Sequence, residues 1–316
     1  MKKFLFIVLF TGTLFARSIL NPCLTYTATG GVTDMVIHDG KLYVGTTQSS
    51  LDIFDMRNDK LLKTIKVDKV KDFMGDLVDA KIYSVDVDKD RLLILSEAEH
   101  GYRRVYINED GKNKIVIPSS MSLSIEKAKF LDKDTILLGL LGDELISYDI
   151  KKGKQNWRVP AGGSKFSDFA LNERKDRVVV ADESGDLKII DTKNGALIKT
   201  LTGENLDNVF QVDYKKGIIV SAGQDRRTVI YNRNTNSAYY KSSDFMIYSV
   251  GLSPSGKLAG YSSDENGNVT IFNTATKTEI GTFGGNKMTP AHIIFINENE
   301  FLVSSNNKII NIYEIK

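Results

Sequence analysis

The stretch MIYSVGLSPSGKLAGYSSDENGNVTIFNTATKTEIGTF, residues 246–283, contains four short β-rich segments separated by three turn sequences. Valine, isoleucine, phenylalanine, tyrosine and threonine recur in the segments, and glycine, asparagine, aspartate, serine and proline recur in the turns SPSG and DENG. β-branched and aromatic residues favour pleated strands, whereas the turn residues permit tight reversals of the backbone. The stretch therefore predicts a four-stranded antiparallel sheet with hairpin connections.

Similar units recur along the chain. In each unit the third β-rich segment ends at an acidic or amide residue, and these residues are Asp55, Asn108, Asp149, Asp191, Asn232, Asn273 and Glu314. The intervals between them are 53, 41, 42, 41, 41 and 41 residues. A period of about 40–45 residues with four strands in each unit is that of a β-propeller blade. We therefore predict an all-β fold in which the units form a ring of blades.

The seventh unit lacks a fourth strand. After AHIIFI, EFLVSS and IINIYEIK the sequence stops at Lys316. The missing strand can come from CLTYTATG, residues 23–30, which precedes the first full unit. Its pairing with the last strand would close the ring and protect an exposed sheet edge. The prediction is a seven-bladed β-propeller, a single domain over residues 17–316, whose last blade is closed by the N-terminal strand.

The first interval exceeds the others by about twelve residues, which fall in KVDKVKDFMGDLVDA, residues 66–80. The apolar residues of this insertion lie at helical spacings; they are Val67, Val70, Phe73, Met74, Leu77 and Val78. The spacing predicts a short amphipathic helix between blades 1 and 2, although Gly75 disfavours it. Such a helix would either cover the edge of its own blade or bind a partner.

The first sixteen residues, MKKFLFIVLFTGTLFA, have the charged start, apolar run and small-residue end of a secretory signal peptide. The run is shorter than the roughly 20 apolar residues of a membrane span. We expect cleavage after Ala16 and no membrane insertion of the mature chain; the alternative is an uncleaved N-terminal anchor. Because the only cysteine is Cys23, no intramolecular disulfide can form. An exported chain without disulfides suits a bacterial periplasm.

Cleavage would also remove Lys2 and Lys3, leaving 42 − 2 = 40 basic residues against 40 acidic ones. A chain without net positive charge does not fit general nucleic-acid binding, which depends on a basic surface. We therefore expect no nucleic-acid partner.

The stretch DVDKDR, residues 86–91, begins like a calcium-binding loop, and Glu97 stands at the twelfth position where such a loop ends. The sixth position, however, is Arg91 instead of glycine, and the four apolar residues 92–95 that follow are typical of a buried strand. The other units carry turn sequences at the same place. We therefore predict a hairpin turn over Asp86–Asp90 and no calcium site.

No other motif predicts catalytic chemistry. The three histidines fall in different blades and at different strand positions, so no zinc site is predicted; they are His38, His100 and His292. No serine is paired with a histidine in a recognisable pattern, and no phosphate-binding or dinucleotide fingerprint occurs in a suitable context. We predict no catalytic residue, no metal ligand, no cofactor and a protein that is not an enzyme.

Two sets of residues are candidates for binding. The first strands of the blades carry a polar residue at one aligned position that should line the channel: Asp34, Ser84, Lys127, Asp168, Gln211, Ser249 and His292. These side chains could bind a small polar ligand, or they could satisfy backbone groups and water between the blades, which we favour. The loops between second and third strands supply weaker candidates for partner contact: Tyr102, Arg103, Arg104, Arg226 and Arg227.

The units resemble the blades of WD40-type propellers, and SVGLSPSGKLAGYSSDENGNVTIFN, residues 249–273, carries most of the resemblance. The tryptophan–aspartate ending of that family appears here as Phe-Asp, Tyr-Asp or Phe-Asn, so its buried histidine–aspartate network does not transfer. ISYDIKKGKQNWRVP, residues 146–160, is also similar to the blade motif of quinoprotein-like propellers. With one tryptophan, Trp157, the tryptophan-docked ring of true quinoproteins is not built.

The signal sequence ending in LFA, the size of the exported propeller, the degenerate WD-like blades and the lysine-, isoleucine- and asparagine-rich composition resemble the NapL-type accessory proteins of periplasmic nitrate reductases. This resemblance implies a non-enzymatic role in maturation or activity of the reductase by protein contact. We expect a periplasmic, monomeric protein-binding scaffold. The alternatives are a propeller enzyme of lactonase or quinoprotein type with a ligand in its channel, and a scaffold for outer-membrane protein assembly.

Overall fold

The computed structural model describes residues 18–316, so the predicted signal peptide, residues 1–16, lies outside the described residues. The described chain forms seven blades of four antiparallel strands arranged in a ring, which confirms the predicted seven-bladed β-propeller. The innermost strands of consecutive blades contact one another from blade 1 to blade 7. A contact of 3.2 Å between His292 Nε2 in blade 7 and the carbonyl oxygen of Thr33 in blade 1 completes the circle.

The strands follow the repeat units closely. From the channel outward, blade 1 has Val32–His38, Lys41–Thr46, Ser50–Asp55 and Lys60–Lys66; blade 2 has Ile82–Asp88, Arg91–Glu97, Arg103–Glu109 and Lys112–Ile117; blade 3 has Ile125–Phe130, Thr135–Leu140, Glu144–Asp149 and Lys154–Pro160. Blade 4 has Phe166–Leu171, Arg177–Asp182, Leu187–Asp191 and Leu197–Leu201; blade 5 has Val209–Lys215, Ile218–Gly223, Arg227–Asn232 and Ser237–Ser242; blade 6 has Val250–Leu252, Leu258–Ser262, Val269–Asn273 and Glu279–Phe283. Two short 3₁₀ turns are Glu99–Gly101 and Ser119–Met121.

Blade 7 is built from both ends of the described chain. Its inner strands are His292–Phe295, Glu300–Ser304 and Ile309–Glu314, and its outer strand is Leu24–Thr27, antiparallel to Ile309–Glu314. The N-terminal strand therefore closes the last blade, as predicted. A further short strand, Ile19–Leu20, runs parallel to the outer strand of blade 6 and covers part of its edge.

The helix predicted in the insertion is wrong, because residues 66–80 contain a small antiparallel hairpin of Val70–Lys71 and Leu77–Val78. Gly75 adopts a positive φ of 91°, a conformation that suits a reversal of the chain and not a helix. Asp72 Oδ1 accepts hydrogen bonds from the amides of Met74 and Asp76, both at 2.9 Å, which fixes the turn. The apolar spacing therefore reflects a hairpin with an apolar tip.

Apolar side chains pack mainly between neighbouring blades. The contact between blades 6 and 7 is typical: the rings of Phe283 and Phe301 meet edge-on with centroids 4.9 Å apart, and Tyr313 stacks on Phe301 at 5.0 Å. The inner strands approach so closely that a Cβ at Gly251 would lie 2.2 Å from the carbonyl oxygen of Ile293. This packing fixes the inner strands, and with them the lining of the channel. Across residues 18–316 the fold contains no helix with the length and apolar character needed to cross a membrane.

Candidate functional site

The centre of the ring holds a cavity of about 380 Å³ lined by the innermost strands. Five of the seven predicted ring residues line it, namely Asp34, Lys127, Asp168, Gln211 and His292. The other two are buried outside this lining, Ser84 within the first strand of blade 2 and Ser249 just before the first strand of blade 6. Ser84 Oγ donates a hydrogen bond of 3.0 Å to the carbonyl oxygen of Ala128 in the next blade.

The cavity is also lined by three charged residues that were not predicted, Lys129, Asp213 and Lys215. Each lies two or four positions after a ring residue of the same strand, and alternate residues of a strand share one face. The period of two could therefore have identified them from the sequence.

Two ion pairs join blades across this lining. Lys127 Nζ lies 2.6 Å from Asp168 Oδ1, and Lys129 Nζ lies 3.1 Å from Asp34 Oδ2. Lys129 Nζ also donates a hydrogen bond of 2.6 Å to the carbonyl oxygen of Val85. Three lysines face three aspartates in the lining, so it carries no formal net charge when its histidine is neutral.

Side chains near the channel hold the amides of the next blade. The acceptor–amide pairs are Asp34 Oδ2 with Val85 at 2.8 Å, Asp86 Oδ2 with Phe130 at 2.7 Å, Asp168 Oδ2 with Val212 at 3.0 Å, Gln211 Oε1 with Val250 at 2.9 Å and Asp213 Oδ2 with Leu252 at 2.9 Å. We call these five contacts the inter-blade latches. They satisfy backbone groups that would otherwise be buried without a partner.

The protonation of the lining follows from these contacts. Although burial opposes it, the ammonium groups of Lys129 and Lys127 hold the pKa of Asp34 below its usual value. Burial would lower the pKa of Lys127, but the carboxylates of Asp168 and Asp34 raise it. Burial lowers the pKa of His292 despite the nearby Asp34, so the imidazole is neutral at pH 7. The lining is therefore a charge-balanced network whose polar atoms largely bind one another.

Arg103 and Arg104, predicted to lie in a loop, lie instead at the start of the third strand of blade 2, and both are buried. Arg103 is buried, with its guanidinium carbon 3.8 Å from the Tyr83 ring centroid and Nη2 3.1 Å from Glu126 Oε1. Arg104 is also buried and lies 3.7 Å from Asp68 Oδ2.

The remaining three candidates for partner contact have more exposed side chains than Arg103 and Arg104. Tyr102 is half-buried and Arg226 is exposed. Arg227 lies 4.0 Å from the Tyr240 ring centroid and donates a hydrogen bond of 3.0 Å to the carbonyl oxygen of Glu204. Arg227, like Arg103 and Arg104, therefore lies in a third strand and contacts residues of other strands and connections.

The stretch DVDKDR forms a hairpin between Ile82–Asp88 and Arg91–Glu97. The turn itself is shorter than predicted, because Asp86 belongs to the strand and forms one of the inter-blade latches. Asp88 Oδ2 lies 3.0 Å from Arg91 Nη2. Within residues 18–316, no three His, Cys, Asp or Glu side chains are placed to hold a metal ion.

A second buried polar cluster lies between blades 3 and 4, away from the channel. A Cβ at Gly162 would lie 2.5 Å from Asp143 Oδ2 and 2.6 Å from Asp182 Oδ2, so the two carboxylates converge there. Asp182 accepts hydrogen bonds from Lys188 Nζ and Ser184 Oγ, whereas no donor in the described chain reaches either oxygen of buried Asp143. Burial and the facing Asp182 raise the pKa of Asp143 to about 7.

The model of a family described as outer membrane protein assembly factor BamB matches residues 122–282, just over half of the 316-residue chain. The matched region runs from the start of blade 3 to the last strand of blade 6. No curated protein matches the chain.

Proposed function

The chain belongs to the family described as outer membrane protein assembly factor BamB, and we propose that it is a non-enzymatic protein-binding scaffold of the periplasm. The observation that carries this proposal is the network of inter-blade latches and ion pairs in the channel, where polar groups hold the blades together. The Lys127, Lys129, Asp34 and Asp168 side chains of the lining are held in these contacts, which supports a structural role for the channel. The exposed loops around the ring remain as the surface for binding.

For the partner, we propose components of a periplasmic nitrate reductase. The support is the whole-chain resemblance to NapL-type accessory proteins, together with the signal-like N-terminus at residues 1–16. The bound propeller would assist maturation or activity of the reductase through protein contact.

A second candidate is assembly of outer-membrane proteins. It is favoured by the family match over residues 122–282, whose description names this process, and by DIKKGKQNW, residues 149–157, within the match. This role is likewise that of a scaffold, so the two candidates differ in the partner and not in the chemistry.

Affinity purification of the C-terminally tagged chain from periplasm of nitrate-respiring cells would test both candidates. We expect reductase subunits or their assembly factors to copurify, and the mature chain to begin at Arg17 by mass spectrometry. Recovery of outer-membrane assembly factors instead would favour the second candidate. If neither reductase components nor outer-membrane assembly factors copurify, the proposal of a scaffold for either process is overturned.

The enzyme alternative has its own test. We expect the purified chain to show no lactonase turnover and no quinone absorbance. Turnover that His292→Ala or Asp168→Asn abolishes would place a reaction in the channel and contradict the proposal.

A further inference from the structure

The insertion between blades 1 and 2 presents apolar side chains to solvent. Phe73 is 96% exposed, Met74 73% and Leu77 66%, and Val78 is also exposed. We call these four residues the insertion tip. Large apolar side chains grouped in this way on a surface mark a binding site more often than isolated ones do.

The insertion tip stands on a well-anchored base. Ser49, in the second-to-third strand turn of blade 1, binds both ends of the insertion: its carbonyl oxygen accepts from the amide of Val67 at 2.9 Å, and its Oγ accepts from the amide of Ala80 at 2.8 Å. Val70 is buried beneath the tip. Asp68 Oδ2 accepts a hydrogen bond of 3.0 Å from the Tyr106 hydroxyl. A tip on an anchored base loses less backbone entropy on binding than a free loop would.

A groove of about 880 Å³ separates the hairpin from the turn Glu99–Gly101 of blade 2. Its apolar lining is supplied by Val70, Phe73, Met74, Val78 and Ala98. Its charged lining consists of three carboxylates and one lysine, a formal charge of −2 with neutral histidine: Asp72, Glu97, Glu99 and Lys71. Glu99 Oε1 also lies 3.6 Å from Arg104 Nη2, so Glu97 and Asp72 are the more available carboxylates. We call this space the tip groove. An apolar floor with acidic borders is complementary to an apolar segment that carries basic residues.

We propose that the insertion tip and the tip groove bind an extended segment of a partner protein in which apolar side chains are flanked by lysine or arginine. This inference rests on the proposed scaffold function and adds the place and the chemistry of recognition. Apolar side chains of the segment would contact Phe73 and Met74, and its cations would approach Glu97 and Glu99. An anionic lipid surface is less suitable, because residues 68–79 around the exposed side chains contain four aspartates against two lysines and would be repelled by it.

Binding of defined peptides by fluorescence anisotropy tests the proposal. The probes are a basic apolar peptide, KLVKLR, its acidic counterpart, ELVELE, and a basic polar peptide, KSTKSR. We expect the purified chain to bind KLVKLR and to bind the other two at least about tenfold more weakly, a difference of roughly 1.4 kcal/mol. Equal binding of KLVKLR and ELVELE, or no binding of KLVKLR, would overturn the proposal.

Two variants and a matched control locate the site. Phe73→Ser/Met74→Ser should weaken KLVKLR binding by about tenfold or more, as expected for central apolar contacts. Glu97→Gln/Glu99→Gln should weaken it less and reduce its dependence on salt. The control Leu197→Ser/Ile198→Ser removes another exposed apolar pair, 59% and 40% exposed, from blade 4 and should bind like the unchanged chain. Unchanged binding by the Phe73→Ser/Met74→Ser variant would refute the site.

Two further measurements separate this proposal from its competitors. Sedimentation with phosphatidylglycerol vesicles should recover neither the unchanged chain nor the variants; recovery that depends on Phe73 and Met74 would show that the tip binds membranes. Affinity purification with Phe73→Ser/Met74→Ser should lose the native partner. If the partner still copurifies with this variant, the scaffold function stands and the proposed site is wrong. If the unchanged chain binds KLVKLR but no partner copurifies with it, the proposed partners are wrong and the site stands.

Discussion

Individual side chains explain why the repeat was visible in the sequence. Five of the acidic or amide residues that end third strands accept a hydrogen bond from an amide two or three positions later, and these are Asp55, Asp149, Asp191, Asn232 and Asn273. A short carboxylate or amide side chain is well suited to this turn. The recurring residue type is therefore set by local turn chemistry.

The inter-blade latch of Asp168 gives the first prediction. Asp168→Ala would leave the partly buried Lys127 ammonium without its carboxylate and the Val212 amide without its acceptor. We expect the free energy of unfolding to fall by roughly 3 kcal/mol, the lower end for a broken buried ion pair, because the Lys127 side chain is 23% exposed. Urea denaturation monitored by circular dichroism measures the change.

The matched control for that latch is Lys127→Met in the Asp168→Ala background. Because it removes the uncompensated charge, it should recover part of the lost stability. A single variant that loses less than about 1 kcal/mol, the value of an ordinary hydrogen bond, would show that the latch has no special role.

Asp143 predicts a dependence of stability on pH. Its pKa of about 7 in the folded chain lies above the ordinary value of 3.8, so folding favours its neutral form. The associated stability is complete below pH 3.8 and is lost as pH rises through 7. The groups that face it are Asp182, whose carboxylate opposes ionisation, and Lys188, whose ammonium favours it.

We therefore expect the melting temperature to be lower at pH 8 than at pH 5.5. Asp143→Asn, which cannot ionise, should remove much of this difference and raise stability at pH 8 by on the order of 1–3 kcal/mol. Calorimetry at both pH values provides the measurement. An Asn variant with an unchanged pH profile would show that another group is responsible.

The sequence located the channel side chains but not their partners. Alignment of the units placed Asp34, Lys127 and Asp168 at equivalent positions, because the strands repeat with a nearly constant period. The ion pairs Lys127–Asp168 and Lys129–Asp34 connect different blades, so they depend on the ring geometry. A repeat alignment contains no such information.

Among the structural elements, the insertion shows where periodicity is ambiguous. By spacing alone, the apolar residues Val70, Phe73, Met74 and Leu77 fit a helix. The hairpin, however, lets Asp72 accept a hydrogen bond from a turn amide and gives Gly75 the positive φ that suits glycine. In a helix the apolar stripe would have packed against a blade. In the hairpin Phe73, Met74 and Leu77 project into solvent, so Phe73→Ser/Met74→Ser should leave the melting temperature unchanged while it weakens peptide binding by about tenfold or more.

At the scale of the whole molecule, the ring depends on the strand Leu24–Thr27. Within that strand Tyr26 is buried, stacks on Phe54 with ring centroids 5.1 Å apart, and donates a hydrogen bond of 2.7 Å to Asp59. Deletion of residues 18–28 would remove these contacts and expose the edge of Ile309–Glu314. We expect a lower melting temperature and self-association through that edge, measured by light scattering on a size-exclusion column.

The control for this deletion removes only residues 18–21. That chain loses the short strand Ile19–Leu20 but keeps the closing strand. Its melting temperature should therefore stay close to that of the full chain, and its molecular mass in solution should show no self-association. Equal behaviour of the two deletions would show that Leu24–Thr27 does not close the ring.

The whole fold was predictable because each blade repeats the same local pattern of strands and turns. Function was less accessible, since the exposed surfaces that differ between blades follow no period. The blade 1–2 insertion, for example, occurs once and has no sibling with which to compare it.

The pairing of Leu24 with Ile312 and of Thr27 with Ile309 also determines how the ring responds to mechanical force. The chain enters this strand pair at Leu24 and leaves it near Glu314, at the same end of the ladder. A force applied between those two points would break the hydrogen bonds of this strand pair one at a time, starting at the loaded end, instead of all at once. The propeller would therefore open at blade 7 under a modest tension, while the other six blades remain folded.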